Sequence, residues 1–392
     1  MLRSLFSGIS GLRAHQTMLD VTGNNIANVN TTGFKSSQIQ FQDTLSQVLT
    51  NAGAAQAGNG GTNPAQVGLG VRVAGVTTNF QQGAAQLTNR STDMMISGDG
   101  FFVVRKGNEQ FYTRAGAFDF DAIGQLVTPD GGLVQGWAAD AAGNVDTNGA
   151  LVDLRLPIAT LMAASPTTSA LFEGNLPAEA AVGTILNRDV DVYSADGTVS
   201  TLALAFERTG PGAWTVTATL DGASSTQAMT FNTDGSQATG GSVTVGAVTV
   251  DLSTITGFAG LDTVEAAMQN GRAAGTLQSF VINADGTILG SFSNGLKQAL
   301  GRVALSTFTN PAGLEKAGGS LYRTTVNSGD AQIGAAGTGG RGDLTGGALE
   351  MSNVDLSAEF TNLIIAQRGF QANSRVITTS DELLQELVNL KR

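Results

Sequence analysis

Large apolar residues at both ends of the chain keep an unbroken spacing of seven: Leu5, Leu12, Leu19 and Ile26 at the start, and Leu356, Leu363, Phe370, Ile377 and Leu384 at the end. Such a repeat marks a narrow helical seam that packs on another helix rather than on a broad core face. It predicts one α-helix from Leu2 to about Ile26, stopped by the Asn- and Gly-rich run from Asn24 to Gly33, residue types that favour caps and turns. It predicts a second from Val354 to Leu390, about 55 Å long at 1.5 Å per residue. Ser352 or Asn353 is placed to cap this helix, with Asp355 in the first turn, where the helix dipole favours an anion. His15 falls on the solvated side of the first repeat. Neither helix can bury its seam alone, so the seams pair within one chain and, in the favoured reading, also meet other copies.

If the terminal helices pair, everything between them is one excursion that leaves and returns to the same place. The domains are then nested. Short runs at Val71 to Val76, Phe101 to Val104, Phe111 to Phe120 and Leu126 to Trp137, broken by turns such as Gly98-Asp99-Gly100, read as antiparallel strands. Further on, Leu202, Leu204 and Phe206, then Trp214, Val216, Ala218 and Leu220, alternate with polar or small residues, and Asp221-Gly222 and Asp234-Gly235 supply hairpin turns. The expected fold is α+β and mainly β, with paired, coiled-coil-like N- and C-terminal helices. A helical polymerisation domain comes from residues 1–30 and 350–392, followed by an extended connector over 31–70. An inner antiparallel β domain takes 71–156 and 276–349, with an outer antiparallel β domain, 157–275, inserted in it.

Composition narrows the function. The 392 residues include no cysteine and one histidine, which removes disulfides, thiolate metal sites and most imidazole chemistry. Acids outnumber bases 32 to 21, against the basic face that a nucleic-acid reader needs. No apolar run is long enough to insert in a membrane. Asp119, Asp121 and Gly124 resemble half a calcium loop, but no glutamate closes it. No catalytic residue, metal or cofactor is expected, and the chain does not read as an enzyme. Polar residues interrupt the apolar start, so no cleaved signal peptide is expected. With 14% charged residues and 52 glycines, the surface is built of short side chains that lose little rotamer entropy on contact. An extracellular β-rich adhesin would share this composition, but not the two sets of heptads.

Several segments carry a resemblance. Ser4 to Leu12, Asn24 to Asn28 and Thr32-Gly33-Phe34-Lys35 at the start are similar to the amino-terminal signature of the bacterial flagellar rod and hook axial proteins. Ser352 to Leu356 and Gln367 to Ser374 resemble the carboxyl-terminal one. Gly98 to Phe102, Tyr112 to Gly116 and Asn310 to Leu314 also match. Within the family, the size of the middle excursion resembles a hook subunit more than the shorter distal rod subunit. The resemblance implies a structural subunit that self-assembles into a curved, hollow helical tube, a universal joint passing motor torque from rod to filament. It implies an extracellular place in the flagellar basal body and hook. It also implies export through the flagellar type III apparatus without signal cleavage. The implied partners are further copies of the chain, the distal rod protein, the hook cap protein and the hook-filament junction proteins.

Overall fold

The heptads fold as two helices, α1 (Leu2–Ala27) and α2 (Leu356–Asn389), which pack antiparallel. The structure, a computed structural model, describes residues 2–54, 60–156 and 161–389. Leu390, the expected end of the second helix, and positions 55–59 of the expected connector lie outside the described residues. The cap of α2 is Asp355 itself, whose Oδ1 accepts the N–H groups of Ser357 at 2.8 Å and Ala358 at 3.2 Å. Asn353, one of the two expected caps, is engaged elsewhere: its Oδ1 accepts from Ser36 N at 2.8 Å and its Nδ2 donates to the carbonyl of Asn79 at 2.8 Å.

Residues 31–70, expected to form an extended connector, contain three strands that make two antiparallel ribbons. Strand β1 (Ser37–Asp43) and β2 (Ser46–Thr50) run out, while β3 (Ala65–Gly68) and β4 (Val71–Thr78) return; β1 pairs with β4 and β2 with β3, both antiparallel. The signal is a period of two in Gln38-Ile39-Gln40-Phe41-Gln42, with Ile39 opposite Val76 and Phe41 opposite Val73. The β2–β3 ribbon is exposed throughout, and Leu45 at its base is 84% exposed.

The chain divides into two compact units. The first is formed by Met1–Leu156, Val281–Leu289 and Ala299–Arg392, the second by Pro157–Phe280 and Gly290–Gln298. At the centre of the first, the strand Phe101–Lys106 pairs with Glu109–Thr113, with Leu133–Ala138 and with Lys297–Thr307. Its core contains Phe101, Tyr112, Trp137, Phe308 and Tyr322. Several rings meet edge to face, as for Tyr112 and Phe308 with centroids 4.8 Å apart.

The second unit has a five-stranded antiparallel sheet (Ile185–Tyr193, Val199–Gly210, Ala213–Leu220, Ala223–Phe231, Gln237–Thr239) and a four-stranded sheet. In the four-stranded sheet, Ser169–Asn175 pairs parallel with Val248–Thr256, a departure from purely antiparallel pairing. Leu202, Leu204, Phe206, Trp214, Val216 and Ala218 are buried in the core, as their alternation requires. Asp221 and Gly222 have φ of 47° and 84°, the positive values of a type I′ hairpin turn.

Candidate polymerisation site

The register of the helix pair can be followed along its length. Ser4 Oγ lies 3.5 Å from Ser380 Oγ, Gly11 faces Asn373, His15 faces Gly369, and Asn25 Nδ2 donates to Glu359 Oε1 at 2.9 Å. Most of the residues that meet are small or polar, and Gly8 faces Ile377 and Val376. A Cβ on Gly11 would come within 2.7 Å of Asn373 Oδ1, and one on Gly369 within 2.5 Å of the His15 ring. The two backbones can approach this closely because both positions lack a side chain.

The facing residues form a heptad of their own. Ser4, Gly11, Met18 and Asn25 sit one position before Leu5, Leu12, Leu19 and Ile26, and Glu359, Ala366, Asn373 and Ser380 repeat at the same spacing in α2. The large apolar heptad flanks this seam. Leu5, Leu12, Leu19, Ile26, Leu363, Phe370, Ile377 and Leu384 are all only half-buried, and Leu356 is exposed. Beside them Phe360 is 51% and Ile364 56% exposed, one helical turn apart. The pair thus has a closed polar seam and an open apolar flank.

His15, expected on the solvated side, is half-buried in that seam. Its ring lies 6.2 Å from that of Phe41, and its Nδ1 is buried with no hydrogen-bond partner. It faces inward because the true seam is the small-residue heptad, which rotates the buried side of α1 toward Gly11 and His15.

The C-terminal end of α1 is held by one side chain. Asn25 Oδ1 accepts from Ser37 N at 3.0 Å, and its Nδ2 donates to Ser37 O at 2.8 Å as well as to Glu359. This fully buried amide fixes α1, α2 and β1 together. Beyond it lies an ionic clasp. Lys35 Nζ is 2.6 Å from Glu350 Oε1, with both side chains 0% exposed. Arg114 Nη1 stands 3.5 Å from Glu350 Oε2. Lys35 Nζ also donates to Gln81 O at 2.7 Å, and Glu350 Oε1 accepts Gly83 N at 2.8 Å.

Burial pushes the Lys35 ammonium and the Arg114 guanidinium below their ordinary values, against the opposing pull of Glu350. Burial likewise lowers Lys316, which lies 5.1 Å from the centroid of the Phe34 ring, and raises the Tyr322 phenol. Gly33 has a φ of +67°, and any Cβ there would collide with the Arg114–Ala115 backbone. The Thr32–Lys35 and Thr113–Gly116 segments are therefore two halves of one joint.

Among the described residues no group of three or more His, Asp or Glu could hold a metal ion, and no helix is long and apolar enough to cross a membrane. Sequence reasoning found the large heptads and missed the seam beside them. Its signal was a second spacing of seven, written in Ser, Gly, Ala and Asn rather than in Leu.

The geometry has known counterparts. Residues 5–35 match the family described as flagella basal body rod protein, 95–166 the flagellar hook protein FlgE/F/G D1 domain, and 345–390 the flagellar basal body rod FlgEFG protein C-terminal region. The chain is 40% identical over 443 residues to the flagellar hook protein FlgE of Borreliella burgdorferi, covering 100% of both chains. It is 35% identical over 393 residues to the flagellar basal-body rod protein FlgG of Bacillus subtilis, again with 100% of both covered. A crystal structure of the Helicobacter pylori flagellar hook protein FlgE2 shares the fold at a TM-score of 0.57 and 14% identity, over 68% of this chain and 100% of that one. With its terminal helix pair, its β units and this likeness along its whole length, the chain belongs to the flagellar hook protein FlgE family and is a structural subunit of the hook.

Proposed function

We propose that the subunit polymerises through the apolar flank of its helix pair, with Leu5, Leu12, Leu19, Ile26, Leu356, Leu363, Phe370, Ile377 and Leu384 as the contacts between copies. One observation carries this reading: most of the large heptad residues flank the seam within the chain, where eight of the nine are only half-buried and Leu356 is exposed. Covering what is still exposed contributes roughly 25 cal/mol per Å² of apolar surface. A head-to-tail contact that does not close on itself generates a helical polymer. In a curved tube rotating about its own axis, each line of subunits lengthens and shortens once per turn. Short side chains and few ion pairs suit contacts that must slide in this way.

In this reading the helical domain lines a central channel, residues 71–156 and 276–349 form the wall, and 157–275 lie at the surface. The subunit passes through the type III export apparatus without loss of its start. It adds beneath the hook cap protein, between the distal rod protein and the hook-filament junction proteins, and works as a universal joint. Fluorescent labelling in cells before and after the hooks are stripped tests the placement: the label is expected to leave with the hooks, and label retained in the basal body would overturn it.

The test of assembly is negative-stain electron microscopy of the full chain beside a version ending at Gly347, at high concentration in a kosmotropic salt. Tubes from the full chain alone are expected. Tubes from both would place assembly in the β units.

A further inference from the structure

An Asn-Gly pair can change its own covalent structure without an enzyme. The glycine nitrogen has no side chain beside it to block its path, so it can attack the Cγ of the preceding asparagine, an intramolecular step that needs only the right approach. Four such pairs occur in the chain: Asn59-Gly60, Asn148-Gly149, Asn270-Gly271 and Asn294-Gly295. Asn59 lies outside the described residues. Two of the other three pairs are locked. Asn270 Oδ1 accepts from Thr168 N at 2.9 Å and Ser169 N at 3.0 Å, its Nδ2 donates to Thr168 Oγ1 at 2.7 Å, and Gly271 N donates to Gln269 Oε1 at 2.6 Å. Asn294 Nδ2 donates to Ala273 O at 2.9 Å, its Oδ1 accepts from Leu296 N at 3.2 Å, and Gly295 N donates to Phe292 O at 3.0 Å. In both pairs the amide under attack and the attacking nitrogen are held by hydrogen bonds that the reaction would have to break. Asn148 differs. It is exposed, and the one hydrogen bond it makes among the described residues runs from its own backbone N–H to Asp146 Oδ1 at 2.9 Å, which leaves its side chain and the Gly149 N–H free.

The free pair adjoins a structural tie. Gly149 O accepts the Trp137 indole N–H at 3.0 Å, and Trp137 is 4% exposed in the core of the first unit. Val145 and Leu151 pack on the same core, and a bridge joins Ala139 to Val145. Residues 139–151 are thus a strap on this core, tied to the indole by the carbonyl next to the reactive pair. We propose that Asn148-Gly149 is a site of spontaneous deamidation that loosens this strap as the subunit ages. Gly149 N gives its proton to solvent base and bonds to Asn148 Cγ, the Cγ–Nδ2 bond breaks, and the nitrogen leaves as ammonia with a proton from water. One water then opens the cyclic imide at either carbonyl. The net change is asparagine plus water to aspartate or isoaspartate plus ammonia, with no oxidant or reductant. Either product places a new negative charge two residues from Asp146. Opening at the former backbone carbonyl gives isoaspartate, whose main chain runs through Cβ and Cγ and is one methylene longer. That displaces Gly149 O and leaves the buried indole N–H without its acceptor. Nothing in this chemistry depends on assembly.

The full chain is aged in mildly alkaline buffer at physiological temperature, and conversion at each pair is followed by peptide mapping for the mass gain of an amide turning into an acid, with isoaspartyl methyltransferase labelling to mark isoaspartate. Asn148 is expected to convert at least tenfold faster than Asn270 and Asn294 in the folded chain, and at a comparable rate to both in urea. Gly149→Ala should slow Asn148 at least tenfold with an unchanged melting temperature. The substitution has room, because Gly149 does not use a positive φ and a Cβ there would lie 3.5 Å from its nearest neighbour, Asp146 O. Equal rates at the three pairs in the folded chain, or no effect of Gly149→Ala, overturn the site.

The loosening has its own readout. The chain has two tryptophans, and Trp214 is buried in the core of the second unit. In proton-nitrogen NMR spectra the Trp137 indole peak is expected to move in proportion to the isoaspartate fraction while the Trp214 peak stays. An unmoved Trp137 peak in converted chain overturns the loosening and leaves the chemistry standing. Asn148→Asp carries the new charge without the longer main chain and should keep the Trp137 peak at its wild-type position. An equal shift in that variant would overturn the lengthened main chain as the cause.

Discussion

Glu350 ties four distant segments into one joint. Its side chain meets Lys35, Gly83 N and Arg114, and its carbonyl accepts Gly33 N at 2.7 Å. Removing one partner of a buried ion pair strands the other charge, which costs about 3–5 kcal/mol. Glu350→Gln is therefore expected to lower the unfolding free energy by about that amount in urea titrations, and a loss below about 1 kcal/mol would contradict the clasp. The exposed turn aspartates act at another pH. Asp234 is held below the ordinary carboxylate value of 3.8 by the hydroxyl and N–H of Ser236, and Asp196 by the hydroxyls of Ser194 and Thr198. A depressed folded value means that the unfolded chain takes up protons first, so the stabilisation is complete above 3.8 and is lost as the pH falls through the lower folded values. The melting temperature should lose these contributions only below about pH 4, and the double variant Asp196→Asn, Asp234→Asn should flatten the fall. An unchanged slope would count against it. The clasp itself was not legible in the sequence. Periodicity sees Lys35, Arg114 and Glu350 as three isolated charges, because their proximity depends on a Gly33 turn and a strand pairing that lie far apart in the chain.

At the scale of elements, the helix pair tests whether close approach matters more than intrinsic propensity. Alanine in place of a helical glycine stabilises an exposed helix by about 1 kcal/mol. Gly23 has open space where a Cβ would be placed, so Gly23→Ala is expected to gain roughly that much. Gly369→Ala drives a methyl into the His15 ring and should instead undock the pair, seen as faster amide exchange along α1. Equal behaviour of the two variants would mean that the seam is not tightly packed. The helices were readable in the sequence because seven-residue spacing in leucine is a strong signal. Their rotation was not, because small residues announce a contact only once a partner backbone is known to approach. The strand pairing within the connector was not legible for a related reason: the Asn, Ala, Gly and Gln between Gln47 and Gly70 suggest extended chain, and the alternating stretch at Gln38 to Gln42 is short. Two-stranded ribbons of this kind are marginal alone.

At the scale of the whole molecule, stiffness and compliance belong to different elements in the proposed tube. Helices packed over long seams keep a tube continuous, while ribbons held by few contacts bend. We expect a chain with the β2–β3 ribbon shortened to form tubes that are straighter than wild type when their curvature is measured by electron microscopy. Unchanged curvature would place the bending elsewhere. Nesting is what the sequence leads one to expect once the two ends pair, and the second compact unit is formed by Pro157–Phe280 and Gly290–Gln298. The strand Lys297–Thr307 and the hairpin around Asp285-Gly286 were harder to assign, since strand patterning does not say which sheet a strand joins.

The central claim is that the open apolar flank of the helix pair, and not its closed polar seam, joins one subunit to the next. The most direct measurement is sedimentation and negative-stain microscopy of the double variant Phe360→Ser, Ile364→Ser, taken with its melting temperature. Both residues are more than half exposed, so the monomer should keep its stability to within about 0.5 kcal/mol, as surface substitutions do, while tube formation falls by at least an order of magnitude. Normal tubes from a normally folded double variant would contradict the account.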